Sequence, residues 1–346
     1  MLVYIVIYLF ILFCMFRKKD DIYSYVLLLL MFLVTILRSE EVGADTWTYL
    51  YNFGDYYNNG DTSSRSYELI NNLLYYYLRL YNMDMRIILY VYGFITYLFI
   101  YMTCKRYGIK LAYFLFFFMT GSFFIMGLNI TRQISSVMIV VYSIPLIYEK
   151  KIIKKIQYIA LILFAGSIHS SSFLYFLFLF IPMIRIRKDV MVVIVSLFAF
   201  LILTRVMPVN EWIAKLTPEA YSVFKNSINN AYSISILGYL FSAFIVIVQL
   251  LIMWYSNDDK YNSLYSICIL TSCVNLGLNS DVSRLFLVCE GFMMVYYCRY
   301  FAKHLPNSMA KILLWILMVT STYFWYSGTS TNTTVNNYKT MFEDVR

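Results

Sequence analysis

Twelve apolar runs, broken by short polar connections, restrict this chain more severely than any other feature. They fall at residues 1–16, 22–37, 86–104, 111–128, 130–148, 156–168, 172–184, 189–206, 234–255, 261–278, 285–302 and 309–327. A helix crossing a bilayer uses about 20 apolar residues, so runs of this number take up roughly 240 residues and leave little chain for a soluble domain. The pattern predicts an all-α polytopic membrane protein with about twelve transmembrane helices, forming a single integral membrane domain over residues 1–346. Several runs are shorter than a perpendicular crossing needs, and the two that flank His169 are the shortest.

Composition supports the same class. Apolar residues make up 61% of the chain and charged residues 14%, with a mean hydropathy of +0.66, far from the balance of a water-soluble domain. The net charge of +9 suggests nucleic acid only if the distribution of charge is ignored. Placing successive loops on alternate sides collects 17 of the 28 basic residues in short connections on one side, from Arg17 to Lys311. Such a bias marks the cytoplasmic face, which predicts both termini outside and no nucleic-acid partner. The first run lacks a basic leader and a small-residue cleavage site, and it reads as a retained anchor. The six cysteines lie in or beside apolar runs without C-x-x-C spacing, and the chain has only two histidines, His169 and His304. Neither a disulfide framework, a metal site nor a bound cofactor is expected.

On the outer side, three segments are long enough to build a site: residues 38–85, 207–233 and the tail 328–346. Within the first, Leu69, Ile70, Leu73, Leu74, Tyr77 and Leu78 recur at helical spacing, with Glu68, Asn71, Asn72, Tyr75 and Arg79 opposite. The spacing predicts an amphipathic helix lying on the outer leaflet. The 207–233 loop carries Pro208, Trp212 and Pro218 and no motif.

Polar residues concentrate at a few run boundaries. Arg132 opens a run after Asn129-Ile130-Thr131, and Gln133, Ser136 and Ser143 continue a polar stripe. It reads either as an arginine snorkelling to headgroups or as an anion site. A cation at a helix N-terminus is disfavoured by about 0.3–1 kcal/mol, a cost that a bound anion offsets. Arg284 repeats the arrangement in N-S-D-V-S-R, where a salt bridge to Asp281 is the plainer reading. Two such termini facing each other would cradle a diphosphate. His169, in G-S-I-H-S-S-S-F, is either a hydrogen-bonded structural residue or a proton carrier. In R-S-E-E-V-G-A-D-T-W-T-Y, Arg38 closes the second run, Gly43 permits a tight turn, and Asp45 and Glu68 are candidate carboxylates. Trp47, Tyr49, Tyr51, Tyr56 and Tyr57 suit either sugar stacking or an interfacial aromatic belt. P-loop, G-x-S-x-G and H-E-x-x-H motifs are absent, which argues against ATP-driven transport and familiar hydrolases.

In order and spacing, R-x-x-x-x-G-x-D-T-x-x-Y at Arg38–Tyr49, the acidic helix at Glu68, N-x-x-R-Q at Asn129–Gln133, H-x-S at His169–Ser171 and the late Arg284 resemble the EpsG-like branch of Wzy-type bacterial polysaccharide polymerases. The resemblance implies a glycosyltransferase that joins oligosaccharide repeat units carried on undecaprenyl diphosphate, at the outer face of the cytoplasmic (inner) membrane. It also implies contact with membrane lipids and a chain-length regulator protein as a partner. On this reading Arg132 and Arg284 hold the diphosphate with help from Arg38, and Asp45 or His169 orients or deprotonates the acceptor. Glu68, Gln133, Asn129, Trp47 and Tyr49 line the substrate site. Competing expectations are a lipid-linked oligosaccharide flippase, an O-antigen ligase and a surface-sugar acyltransferase. Two details depart from the family pattern: Ser135 and Ser136 after Ile134, and Asn336-Asn337-Tyr338-Lys339 in the tail.

Overall fold

The computed structural model describes residues 1–17, 22–52, 68–184, 187–203, 236–255, 259–275, 284–304, 308–331 and 333–343. Among these the chain is all helical, with no strand and one isolated antiparallel bridge between Arg38 and Thr340. Over its described residues each apolar run is largely helical. The α-helices are α1 (Leu2–Phe16), α2 (Ile22–Ile36), α3 (Leu69–Leu80), α4 (Ile87–Tyr107), α5 (Leu111–Thr120), α6 (Phe123–Asn129), α7 (Thr131–Ser143), α8 (Ile152–Ile168), α9 (Lys188–Leu203), α10 (Ile236–Tyr255), α11 (Asn262–Asn275), α12 (Leu287–His304), α13 (Ser308–Thr331) and α14 (Thr333–Asn336). By length and composition, α4 is the one described helix able to cross a membrane alone. The bent pair α5 and α6, at 64° to each other, is a second if taken as one broken span. The 207–233 loop, Tyr56, Tyr57 and Asp281 lie outside the described residues.

Two compact units are present: residues 1–176 with 318–346, and residues 177–317. In the second, α11 packs against α9, α10 and α12. In the first, α7 is the central element, packed between α4 and α8, while α1 lies against α2 and α5. Nearly every α7 residue is buried, although the helix carries Thr131, Arg132, Gln133, Ser135, Ser136 and Ser143. Its hydroxyls are satisfied locally. Ser135 donates to the Thr131 carbonyl at 2.9 Å, Ser136 to Gln133 at 2.8 Å and Ser143 to Val140 at 2.7 Å. The polar stripe legible in the sequence therefore consists largely of back-bonded hydroxyls that let α7 sit in an apolar core.

Between α8 and α9 the chain runs as a 3-10 helix over Ser170–Met183. Such helices rarely exceed 3–4 residues; their rise of about 2.0 Å per residue makes this one about 28 Å long. A run too short to cross a bilayer as an α-helix matches the hydrocarbon thickness of about 30 Å in this form. Side chains of a 3-10 helix eclipse every third residue. Accordingly Tyr175, Phe178 and Ile181 are buried while Leu174, Leu177 and Phe180 are exposed. The tight return from α8 needs Gly166, because a Cβ there would meet the Phe173 ring at 2.2 Å.

The amphipathic helix forms as its spacing predicts, and its polar side faces the protein. Glu68, Asn71 and Tyr75 are buried, while Leu69, Leu73, Tyr76, Tyr77 and Leu80 are exposed. Of the expected apolar set, only Leu78 turns inward. Asn71 accepts a hydrogen bond from Tyr92 at 2.9 Å, which ties α3 to α4. An apolar side left outward and a polar side packed on protein is the reverse of a soluble domain's surface helix, and it suits a helix bathed in lipid.

Candidate functional site

The site forms where three segments distant in sequence meet: the residue before α3, the start of α7 and the junction between α8 and the 3-10 helix. Arg132 Nη1 lies 2.5 Å from Glu68 Oε2, across a separation of 64 residues. The other carboxylate oxygen, Oε1, lies 3.2 Å from His169 Nδ1 and accepts the Ser170 backbone N–H at 3.3 Å. Although close, His169 Nδ1 is not aligned for a hydrogen bond. Glu68 and Arg132 are both buried, whereas the His169 side chain is 25% exposed. Burial pushes the Glu68 carboxyl up, but His169 and the Arg132 guanidinium together outweigh it and hold the pKa at about 2. Glu68 is thus a fixed anion that neutralises the cation at the head of α7 and fastens the histidine loop.

Tyr49 closes the cluster from the opening stretch. Its ring lies under Arg132, with Cζ 5.4 Å from the ring centroid, and its backbone carbonyl accepts from Tyr75 at 3.2 Å. The preceding turn is clamped onto the junction of α6 and α7. Ala44 N–H donates to Asn129 Oδ1 at 2.9 Å, and Thr46 donates to the Val42 carbonyl at 2.7 Å. Gly43, at φ +92°, passes so close that a Cβ would lie 2.1 Å from the Leu128 carbonyl oxygen. Asn129 accordingly shapes the site by holding this turn. Half-buried Asp45 stays in the turn, where its carbonyl accepts from Tyr49 N–H at 2.9 Å. Gln133 is buried within α7.

Arg38 is enclosed differently from what a substrate contact would require. Its exposure is 0%, and each of its nitrogens donates to the protein: Nε to Thr46 at 3.1 Å, Nη2 to Thr131 at 2.8 Å and Nη1 to the Thr35 carbonyl. Burial pulls its pKa down to about 10. The tail strengthens this enclosure: Ser39 N–H donates to the Lys339 carbonyl at 2.9 Å, Met341 N–H to Leu37 at 2.9 Å and the Tyr338 hydroxyl to Val34 at 2.9 Å. Arg38 thus anchors the turn to Thr131, the neighbour of Arg132, and does not present its guanidinium to a ligand. Arg284 is exposed at the start of the turn Arg284–Phe286, in the second unit. Its juxtaposition with Arg132 rests on the sequence alone.

The sequence offered Asp45 as an acceptor base and Glu68 as a lining residue, and Glu68 is the one that joins Arg132 to His169. The signal was present in Glu68, Asn71 and Tyr75 at one helical face. Nothing local marked Thr35, Thr46 or Tyr338 as partners around Arg38. Among the described residues no cluster of three or more His, Cys, Asp or Glu side chains could hold a metal. A cavity of about 450 Å³, lined by Leu78, Arg79, Asn82, Met83 and Met85, sits at the opposite end of α3 from Glu68.

An all-helical, apolar-rich chain with a buried ionic cluster at its helix ends belongs among membrane-associated proteins. More narrowly, the sequence model of the EpsG family matches residues 21–340, and the protein is a member of that family. Membership carries with it polysaccharide biosynthesis and a polymerase-like function. No curated protein and no solved structure matches the chain.

Proposed function

We propose that the protein is a polysaccharide polymerase that joins undecaprenyl-diphosphate-linked oligosaccharide repeat units at the outer face of the cytoplasmic membrane, with about twelve membrane spans. The observation that carries this reading is the convergence of Arg132, Glu68 and His169 at the end of α7. A glycosyl diphosphate already has a good leaving group, so the main demand is a cation beside the charge that develops on it. Arg132 supplies that cation, with Glu68 fixing its orientation. His169 places Nδ1 3.2 Å from Glu68 Oε1, which leaves Nε2 for the acceptor hydroxyl. In the reaction the acceptor oxygen bonds to the donor's anomeric carbon, the bond from that carbon to the phosphate oxygen breaks, and its electron pair leaves with the diphosphate. The hydroxyl proton passes to His169. Between the two bases left open by the sequence, the contact with Glu68 favours His169 over Asp45. Arg38 serves as the tie that holds the opening turn against Thr131.

The test is a gene deletion complemented with wild type, Arg132→Ala or His169→Gln, with surface polysaccharide resolved by length and protein levels matched. Loss of polymerisation leaves single repeat units outside, whereas a flippase defect leaves none. A normal ladder with Arg132→Ala at normal protein level would sink the assignment. His169→Gln is expected to slow polymerisation about 10²–10⁴-fold, the usual contribution of a general base.

A further inference from the structure

Beside the cluster, the same short segment carries a second constellation. Residues Thr48–Asn52 form a π-helical turn, a geometry found often at functional sites. Around a helical turn, positions four apart share a side and the position between them points away. Tyr49 therefore faces inward to Arg132, while Trp47 and Tyr51 stand together outside, at 50% and 48% exposure. Their ring centroids are 5.4 Å apart with planes tilted by 39°. Tyr51 is oriented, because its hydroxyl donates to Glu40 Oε2. Glu41 beside it is already paired with Lys339 at 2.6 Å. The result is a pair of aromatic faces with one carboxylate at the edge.

We infer that Trp47, Tyr51 and Glu40 form the carbohydrate subsite of the acceptor chain, shaped for a neutral or amino-bearing pyranose and closed to a uronic acid. The inference rests on the polymerase reading above. A pyranose has an apolar C–H face that stacks on aromatic rings and a rim of hydroxyl or amide donors, which an ionised carboxylate accepts as charge-assisted hydrogen bonds. A sugar carboxylate would instead meet like charge at Glu40, which discriminates against it. A merely interfacial aromatic pair has no use for the carboxylate held by Tyr51.

The experiment uses the full chain in lipid nanodiscs and saturation-transfer NMR with methyl glucoside, methyl N-acetylglucosaminide and methyl glucuronide as probes. Wild type is expected to saturate the ring protons of the first two and not those of the uronide. Trp47→Ala should weaken the neutral probes by roughly three- to tenfold, the size of one lost aromatic contact. Glu40→Gln should admit the uronide. Tyr51→Phe, which frees Glu40 while keeping the ring, should blunt the discrimination with little loss of stacking. Absence of neutral-probe binding in wild type, unchanged binding in a folded Trp47→Ala protein, or equal binding of the uronide to wild type would each overturn the subsite. If deletion of the gene leaves polymer length normal while probe binding follows Trp47, the polymerase reading falls and a carbohydrate site remains. The converse pattern removes the subsite alone.

Discussion

Arg38 and Arg132 are both buried arginines, linked through Thr131, yet their surroundings differ in kind. Arg38 is bound by two threonine hydroxyls and a carbonyl, and among the described residues no carboxylate pairs with it. Arg132 is bound to a carboxylate that also lies against a partly exposed histidine. Neutral oxygens in a closed shell fix a cation as a tie. A carboxylate shared between a guanidinium and a partly exposed imidazole leaves the cluster open to solvent on one side, as the shell around Arg38 is not. The comparison teaches that burial of an arginine does not by itself mark a ligand site. The charge and accessibility of its partners separate structure from chemistry.

The largest effect expected from this contrast is that of Glu68→Ala, which strands the buried Arg132 charge. Breaking a buried pair in this way costs about 3–5 kcal/mol, measurable as a drop in unfolding temperature in detergent or nanodiscs, together with loss of polymer. Glu68→Gln should keep more of the stability and still lose the polymer. Arg38→Met should cost about 1.5–3 kcal/mol, the range for hydrogen bonds to a charged group. Its polymer output should fall only with the amount of folded protein. A length distribution that collapses while folded protein is unchanged would return Arg38 to the reacting centre. Acidification provides a third probe. The Glu68 carboxyl is held at about 2 against its usual 4.5, so its stabilisation is present in full above about pH 4.5 and is lost as pH falls towards 2. Comparing wild type with Glu68→Gln over that window should show the difference vanish at the acid end; a constant gap would break the ion-pair account. The smallest effect belongs to Thr46→Val, which deletes one hydroxyl partner of Arg38 and should cost about 0.5–1.5 kcal/mol with no change in polymer length.

The sequence made some elements legible for physical reasons and hid others. The α3 helix was readable because its alternation of Leu69, Leu73 and Tyr77 with Glu68, Asn71 and Tyr75 is local and periodic. Gly43 was readable as a turn, and its φ of +92° bears that out. The run after His169 was located correctly, but its 3-10 winding was not visible, since apolar composition specifies burial and not the number of residues per turn. The bend between α5 and α6 falls at Gly121-Ser122, where Ser122 takes φ +67°, in a run that read as one span.

By itself the sequence determined a helical, membrane-associated chain, the approximate places of its helices and its membership of the EpsG family, because these depend on apolar run length, periodicity and the order of short motifs. Only the tertiary structure decided which carboxylate meets Arg132. Glu68 and His169 lie 64 and 37 positions away on either side, and no local propensity encodes a contact across such distances. Packing of α3 and α8 against one another, with α8 also lying against α7, brings those charges within hydrogen-bond range. In that buried setting an uncompensated cation is costly, so the fold and the ionic cluster were selected by the same free energy.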